Sequence, residues 1–298
     1  MMKKNDFLIQ YFEKRKSKIL KFFIFFLLVF FLFFLINDNL TPKNFIGKIH
    51  LEGIINDRNK LIRQLNEISQ NENIKGLLVI INSPGGTFVS SKEIHDSLEK
   101  ISMKIPTSAY MKEMATSGAY LASMGLQKIF ANQGTITGSI GVILQTAQLT
   151  SLMDKIGVKP IVIKSGELKA TPNPLEKLDE EKINYLKKII FQLQKEFIGI
   201  VKQKRNLNQT TIKEISTGRI FTSKQALKLN LIDFIGNETD ALDWIKKEGG
   251  LDQKIDVIEL DKKNSIYDIF NTTFLKNSLK PFNLNLNNGI LAIWTPGL

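Results

Sequence analysis

Three short segments rich in glycine and serine are the best candidates for chemistry in this sequence. Gly85 and Gly86 follow an apolar run typical of a buried strand, and glycines there let backbone N–H groups face a cleft where an oxyanion forms. The same pair is also typical of an ordinary strand-to-helix turn. Ser117 lies in a second cluster, either as a helix cap or as a nucleophile with its neighbour's amide beneath the oxyanion. Ser139 lies in a third cluster between glycines.

Composition excludes several other chemistries. The chain has no cysteine, which excludes a thiolate nucleophile, a disulfide scaffold and a Cys-ligated metal. There are only two histidines, His50 in a predicted strand and His95 on a predicted helix, where neighbouring charges predict a solvated side chain. Neither favours a Ser-His-Asp site, and no HExxH spacing or phosphate-binding loop occurs. We therefore predict neither a metal nor a cofactor.

Apolar periodicity predicts the elements that position these segments. Helical spacing occurs through 61–68 and 89–101, and most strongly through 183–200. Loose alternation predicts a strand at 48–55, and the continuous apolar run at 77–81 predicts one that is buried on both faces. Further short strands are predicted at 107–111, 129–131 and 161–163. Alternating strands and helices predict an α/β fold with a mostly parallel sheet and helices outside it.

The beginning of the chain predicts a transmembrane anchor. Residues 22–36 form an unbroken apolar run, with edges as wide as 19–37, close to the length of a spanning helix. Residues 1–21 are basic, which predicts a cytoplasmic N-terminus and a catalytic domain on the other side of the membrane. The alternative is a cleaved signal peptide, but the basic region is long and no small-x-small site follows.

The positive charge does not indicate nucleic-acid binding. The formal net charge is +12, and +5 of it lies within residues 1–45, which hold eight Lys/Arg and three Asp/Glu. The remaining surplus is dispersed and no basic run is interleaved with aromatic residues, which is typical of a solvated surface. We predict no nucleic-acid partner.

Taken together and in order, five segments form a specific signature. They read NSPGG at 82–86, ATSGAYLA at 115–122, GTITGSIGV at 134–142, SGELK at 165–169 and GRIFTSKQALKLNLID at 218–233. This set resembles signal peptide peptidase A in its short, single-repeat bacterial form, a family related in fold to Clp proteases and crotonases with repeated β-β-α units. The resemblance covers 46–240 as a catalytic domain. Residues 241–298 remain an extension without a predicted role.

The resemblance assigns roles to five residues. Ser117 matches the family nucleophile, and Lys169 matches the general base. Ser139 matches the serine whose hydroxyl holds that lysine. The backbone amides of Gly86 and Gly118 match the oxyanion hole. Ser117 and Ser139 compete as nucleophile on pattern, and the resemblance favours Ser117.

The assigned chemistry sets a requirement on the lysine. A serine hydroxyl needs a base, and lysine is a base only when neutral, whereas its ordinary pKa is about 10.4. Burial disfavours the ammonium form, and the neighbours of Lys169 include Leu168 and Ala170, so we expect an apolar setting. The family usually has Ala and Gly where this chain has Thr116 and Ala119, which puts the pocket shape in question.

The resemblance implies a membrane-anchored serine endopeptidase of the bacterial cytoplasmic membrane. Its substrates would be cleaved signal peptides and other short apolar peptides. It also implies a homo-oligomeric ring with a chamber and with sites partly shared between subunits.

Two other functions stay open from the sequence. One is an inactive, membrane-tethered scaffold of the same fold. The other is a crotonase-like enzyme acting on acyl thioesters. That enzyme would need a carboxylate in the cleft, for which Glu113 is the nearest candidate.

Overall fold

A computed structural model describes residues 21–31, 44–56 and 59–261, together with the backbone of 291–293. The chain divides into two compact units, one up to Asn44 and one from Phe45. In the first, residues 21–31 are helical (α1) and exposed. Within these ranges, no helix has both the length and the apolar character needed to cross a membrane. The predicted anchor, 22–36, lies partly outside the described residues.

The second unit is built on a mostly parallel sheet. Its main path runs β6-β5-β3-β2-β1-β8, while β4 pairs with β3 and β7. Strands β6 and β9 are antiparallel to β5 and β2, and the other pairings are parallel. The strands are β1 Phe45–Ile55, β2 Ile74–Thr87, β3 Thr107–Thr116, β4 Lys128–Ala131, β5 Ile136–Gly138, β6 Ile220–Thr222, β7 Phe234–Ile235, β8 Asp256–Glu259 and β9 Leu291–Ile293.

Helices cover both faces of this sheet. The helices of this unit are α2 Asn59–Gln70, α3 Phe88–Ser102, α4 Gly118–Ser123, α5 Thr150–Lys155, α6 Glu180–Lys204, α7 Gln209–Ile215, α8 Ser223–Lys228 and α9 Glu238–Glu248, of which α5 has no buried residue. Leu77 and Val79 face a large core that includes residues of α2, α3, α4 and α6. Leu78 and Ile80 face a smaller core that includes residues of α9. Burial on both faces explains why the middle of β2 is continuously apolar.

Most of the predicted elements are confirmed. The long helix is α6, which Asp179 caps by accepting a hydrogen bond from the N–H of Lys182 at 2.9 Å. The strand predicted at 161–163 is wrong, because this stretch is irregular and Ile161 and Ile163 are 87% and 94% exposed. An apolar run predicts burial, but here no strand of the described part pairs with it. Beyond residue 240, most of α9 and all of β8 belong to the second unit.

Candidate active site

The end of β2 is held in a fixed turn. The Ser83 hydroxyl donates to the carbonyl of Gly53 at 2.6 Å and accepts from the N–H of Gly85 at 3.1 Å. A side chain at Gly86 would overlap the carbonyl oxygen of Ile55 on the neighbouring strand. Only glycine therefore lets the two backbones approach this closely.

Two residues of this turn were missed by the sequence analysis. Ser83 is fully buried, and its hydroxyl makes the two hydrogen bonds that hold the turn. Asn82 accepts from the N–H of Met114 at 3.3 Å and so joins the ends of β2 and β3. The signal that would have identified them is the placement of Asn and Ser before a Pro-Gly turn, where short polar side chains bond to nearby backbone.

Ser117 occupies the sharp turn between β3 and α4. Its φ is 53° and its ψ is −119°, a conformation that costs about 1–3 kcal/mol for a residue with a side chain. Its N–H donates to the carbonyl of Gly138 at 2.8 Å, and its own carbonyl accepts from the N–H of Leu121 at 2.9 Å. These bonds hold the strained turn in place.

The Ser117 side chain is not a helix cap. The residue is 1% exposed, yet its hydroxyl makes no capping bond to α4. Among the residues that the structure describes, no hydrogen bond to this hydroxyl is found. Gly118 is the first residue of α4, and the N–H groups of a helix's first turn have no acceptor within the helix. A free serine hydroxyl beside such an amide suits a nucleophile with an oxyanion donor.

The segment that carries Ser139 is anchored to the same strand end. Thr116 pairs with Gly138 in the parallel ladder between β3 and β5. The Thr137 hydroxyl donates to the carbonyl of Ala115 at 2.7 Å. Ser139 follows with φ 52°, is 9% exposed, and donates its N–H to the carbonyl of Arg219 at 2.9 Å. The ladder thus brings Ser117 and Ser139 to one edge of the sheet.

Lys169 lies in a long arm, residues 144–179. Every hydrogen bond found for the described residues of this arm ends within 144–183. Lys169 is exposed, so the expectation of an apolar setting is wrong within this single chain. Across the described ranges, no hydrogen bond joins Lys169 to Ser117 or Ser139. Within the described part of the single chain, Ser117 therefore has no lysine bonded to it.

A buried polar network supports the helix that follows Ser117. The Tyr120 hydroxyl donates to the carbonyl of Leu231 at 2.7 Å, and burial raises the pKa of Tyr120. Arg205, at the end of α6, donates two bonds of 2.9 Å to Asp233. Asp233 also accepts from the N–H of Ile129 at 2.8 Å. Sequence reasoning missed this network because its members are far apart along the chain.

The surroundings of the two histidines indicate a structural role for each. Nδ1 of His50 lies 2.8 Å from a carboxylate oxygen of Asp261. His95 is 4% exposed, so its predicted solvation is wrong, and burial lowers its pKa although neighbouring carboxylates oppose this. The helix α3 buries one face, and His95 falls on that face. Neither histidine is hydrogen-bonded to Ser117.

Two other candidate groups gain little support from their surroundings. Asp96 and Glu99 lie near His95 in a geometry that could hold a metal, but they already bind the ammonium groups of Lys92 and Lys204, each at 2.6 Å. Glu113, considered for thioester chemistry, is exposed on β3.

Residues 99–252 match the family model described as Peptidase family S49. A Synechocystis sp. protein with the provisional name of a protease is 40% identical over 218 residues, which cover 72% of this chain and 78% of that protein. An Enterococcus faecium protein with the provisional name signal peptide peptidase SppA is 38% identical over 188 residues, 63% of this chain and 55% of that protein.

Solved structures give more distant matches. A membrane-bound stomatin-specific protease has a TM-score of 0.45 and 17% identity, covering 74% of this chain and all of that chain. ClpP1 from Listeria monocytogenes has a TM-score of 0.45 and 17% identity, covering 65% of this chain and 94% of that chain.

Proposed function

This chain belongs to peptidase family S49 and is a serine protease, and from that premise we propose that Ser117 is its nucleophile and short apolar peptides are its substrates. One observation carries the choice of nucleophile. Ser117 is held at a strained strand-to-helix turn with a hydroxyl that no described residue binds. Signal peptides left after secretion are the substrate class we favour, because the Enterococcus faecium relative has the provisional name signal peptide peptidase.

The proposed reaction is acyl transfer to the serine. A neutral lysine takes the Ser117 proton as the oxygen attacks the peptide carbonyl carbon. The resulting oxyanion accepts from the N–H groups of Gly86 and Gly118. The C–N bond then breaks and the leaving amine takes the proton back from the lysine. Water, activated by the same lysine, hydrolyses the acyl-enzyme, and Ser139 orients the lysine throughout.

We assign the base to Lys169 of a neighbouring subunit. The arm of 144–179 contributes no residue to the buried apolar cores, and it exposes Leu152, Ile156, Ile161 and Ile163. Exposed apolar surface of this kind marks an interaction site. If the arm packs on a second copy, Lys169 loses water and gains the apolar setting that a neutral lysine requires. A homo-oligomeric ring would supply that contact.

The proposed location is the bacterial cytoplasmic membrane. The apolar run at 22–36 would anchor the chain, with the catalytic unit on the extracytoplasmic side. Such an anchor would tether the catalytic unit to the membrane in which apolar peptide remnants are left. The described part of the run, 22–31, is helical and exposed, which is compatible with a lipid-facing segment.

The test is peptide cleavage by the full chain in mild detergent, measured against pH with apolar fluorogenic peptides. We expect activity to rise toward alkaline pH, as a lysine base requires, and Ser117→Ala and Lys169→Ala to lower kcat by at least about 10³-fold. Lys177→Ala, another exposed lysine of the arm, is the control and should retain activity.

Three results would contradict the proposal. An assembled wild-type chain without peptidase activity would favour the scaffold function. Hydrolysis or hydration of an acyl thioester in place of peptide cleavage would favour the crotonase-like function. Full activity in Lys169→Ala would remove this lysine from the mechanism while leaving Ser117 in place.

A further inference from the structure

The segment that carries Lys169 keeps its shape without an apolar core. We call residues 164–176 the lysine loop. None of its residues is fully buried, and neither hydrophobic core includes one of them. Most of its half-buried residues are polar. They are Lys164, Thr171, Pro172, Asn173 and Glu176. Polar contacts rather than apolar packing must therefore hold this loop.

The Lys164 ammonium joins both sides of the lysine loop. Its Nζ lies 2.8 Å from one carboxylate oxygen of Glu176 and donates to the other at 3.0 Å. It also donates to the backbone carbonyl of Glu167 at 3.0 Å, two residues before Lys169. The side chains of Lys164 and Glu176 are only 12% and 22% exposed. This pair is therefore more sheltered from water than an ordinary surface ion pair.

Asn173 fixes the carboxylate end of the Lys164–Glu176 pair. Its Nδ2 donates to Glu176 at 3.2 Å, and its Oδ1 accepts from the N–H of Leu175 at 3.0 Å. The N–H of Glu176 donates to the carbonyl of Asn173 at 3.1 Å. Two side chains thus orient the Glu176 carboxylate, and the turn on which it lies is itself closed.

The backbone at Lys169 is held in an uncommon conformation. Its N–H donates to the carbonyl of Gly166 at 3.0 Å, and the N–H of Thr171 donates to the carbonyl of Leu168 at 3.2 Å. Between them, Ala170 has a φ of 60°, which is unfavourable for a residue with a side chain and persists only where the surroundings fix it. Within the described ranges, the non-glycine residues with a positive φ are Ser117, Ser139, Ala170 and Asn230. The first three are proposed active-site residues or the neighbour of one, which indicates that the lysine loop is shaped for the reaction.

From these contacts we propose that Lys164 and Glu176 are positioning residues, which shape the lysine loop so that Lys169 reaches Ser117 of a neighbouring subunit in one geometry. The proposal rests on the proposed function, because it assumes that Lys169 is the base. A loop without an apolar core that became ordered only on assembly would lose conformational entropy at that step. The Lys164–Glu176 pair reduces this loss, because it shapes the loop beforehand.

The pair should act on kcat rather than on KM. Neither side chain is proposed to touch the peptide, whereas a displacement of the base by about 1 Å can cost about 10²-fold in rate. Lys164→Met and Glu176→Gln should therefore each lower kcat by about 10- to 100-fold, with KM unchanged within about twofold. The double variant should lose about as much as the weaker of the two, because both substitutions remove the same contact. Lys164→Arg keeps the charge and the donors and should retain most of the activity.

The test measures kcat and KM of these variants as full chains in mild detergent, with assembly checked by mass measurement. Lys182→Met is the matched control, because the Lys182 side chain is 15% exposed and lies 3.1 Å from Asp179, but belongs to α6. It should keep wild-type kcat. Wild-type kcat in both Lys164→Met and Glu176→Gln would overturn the proposal, and so would an equal loss in Lys182→Met. If Lys164→Met does not assemble, Glu176→Gln, which keeps the shape of the side chain, decides in its place.

Hydrogen exchange distinguishes failure of this proposal from failure of the proposed function. Wild-type kcat in the variants of the pair, abolished by Ser117→Ala, would overturn the positioning role and leave the protease assignment intact. If the wild-type chain cleaves no peptide, exchange of the Lys169 and Thr171 amides decides, measured by mass spectrometry. Faster exchange in Lys164→Met than in wild type and Lys182→Met supports the proposal, and equal exchange in all three chains overturns it.

Discussion

Gly86 is the residue at which the fold and the proposed chemistry depend on the same atoms. The backbone of Ile55 lies so close to the Cα of Gly86 that there is no space for a side chain. Gly86→Ala must push β2 away from β1, which moves the N–H proposed to bind the oxyanion. Because loss of one such donor costs about 10²–10³-fold in kcat, we expect a kcat loss of that size together with a lower melting temperature.

Gly134→Ala is the matched control for this substitution. Gly134 has nothing within 4 Å of an added Cβ and lies in the turn before β5. It should retain both stability and activity in the same assays. A Gly86→Ala chain with wild-type kcat would show that the N–H of this residue does not contact the oxyanion.

At this scale, sequence reasoning succeeded where the requirement was local. Motifs a few residues long identify the glycine turn after β2 and the serine segment before α4, and the structure adds the close approach at Gly86 and the positive φ at Ser117. It failed for Lys169, whose expected burial was inferred from apolar neighbours along the chain. Those neighbours are exposed as well, because the arm of 144–179 contributes nothing to the cores of its own subunit.

At the scale of whole elements, a polar network links α6 to α4, the helix that follows Ser117. Arg205 at the end of α6 binds Asp233, which in turn holds β4 through the N–H of Ile129. Leu231, two residues before Asp233, accepts from Tyr120 on α4. This network ties α6, β4 and α4 together beneath Ser117.

Breaking this network should destabilise the protein strongly. Arg205 and Asp233 are about equally buried, so Arg205→Met leaves a carboxylate with little water. Removing one partner of such a buried pair costs about 3–5 kcal/mol, which urea unfolding of the full chain would measure.

Lys128→Met tests the same carboxylate from its exposed side. Lys128 lies 3.3 Å from Asp233 and is much more exposed than Arg205. Its loss should cost about 1 kcal/mol or less. Equal costs for the two substitutions would mean that Asp233 is better hydrated than its burial indicates.

The elements themselves were largely predictable because their apolar patterns match the faces they bury. Strand β2 and helix α6 are examples, the first buried on both faces and the second on one. The strand predicted at 161–163 shows the limit of this reasoning. An apolar run predicts that its side chains are buried. It does not predict whether they are buried within the same chain or against another one. Strand β9 was also missed, since three residues carry too little periodicity.

At the scale of the whole molecule, the exposed arm and the unpaired serine point to one explanation. The protomer holds Ser117 at a prepared turn, while Lys169 lies exposed on a segment whose hydrogen bonds are internal. In a closed ring, each arm would reach the next subunit, and every site would combine Ser117 of one copy with Lys169 of another. The proposed mechanism then requires assembly for activity.

Mixing two inactive variants tests this arrangement. Neither Ser117→Ala nor Lys169→Ala should cleave peptides alone. In rings co-assembled from equal amounts, a site that takes its serine and lysine from different subunits is intact in about one quarter of cases, so about a quarter of wild-type activity should return. Co-assembly of Ser117→Ala with the Ser117→Ala/Lys169→Ala double variant is the control and should stay inactive. If mass measurement shows mixed rings and the first mixture remains inactive, each subunit must carry its own complete site, and the arm would have to fold back onto the sheet of its own chain.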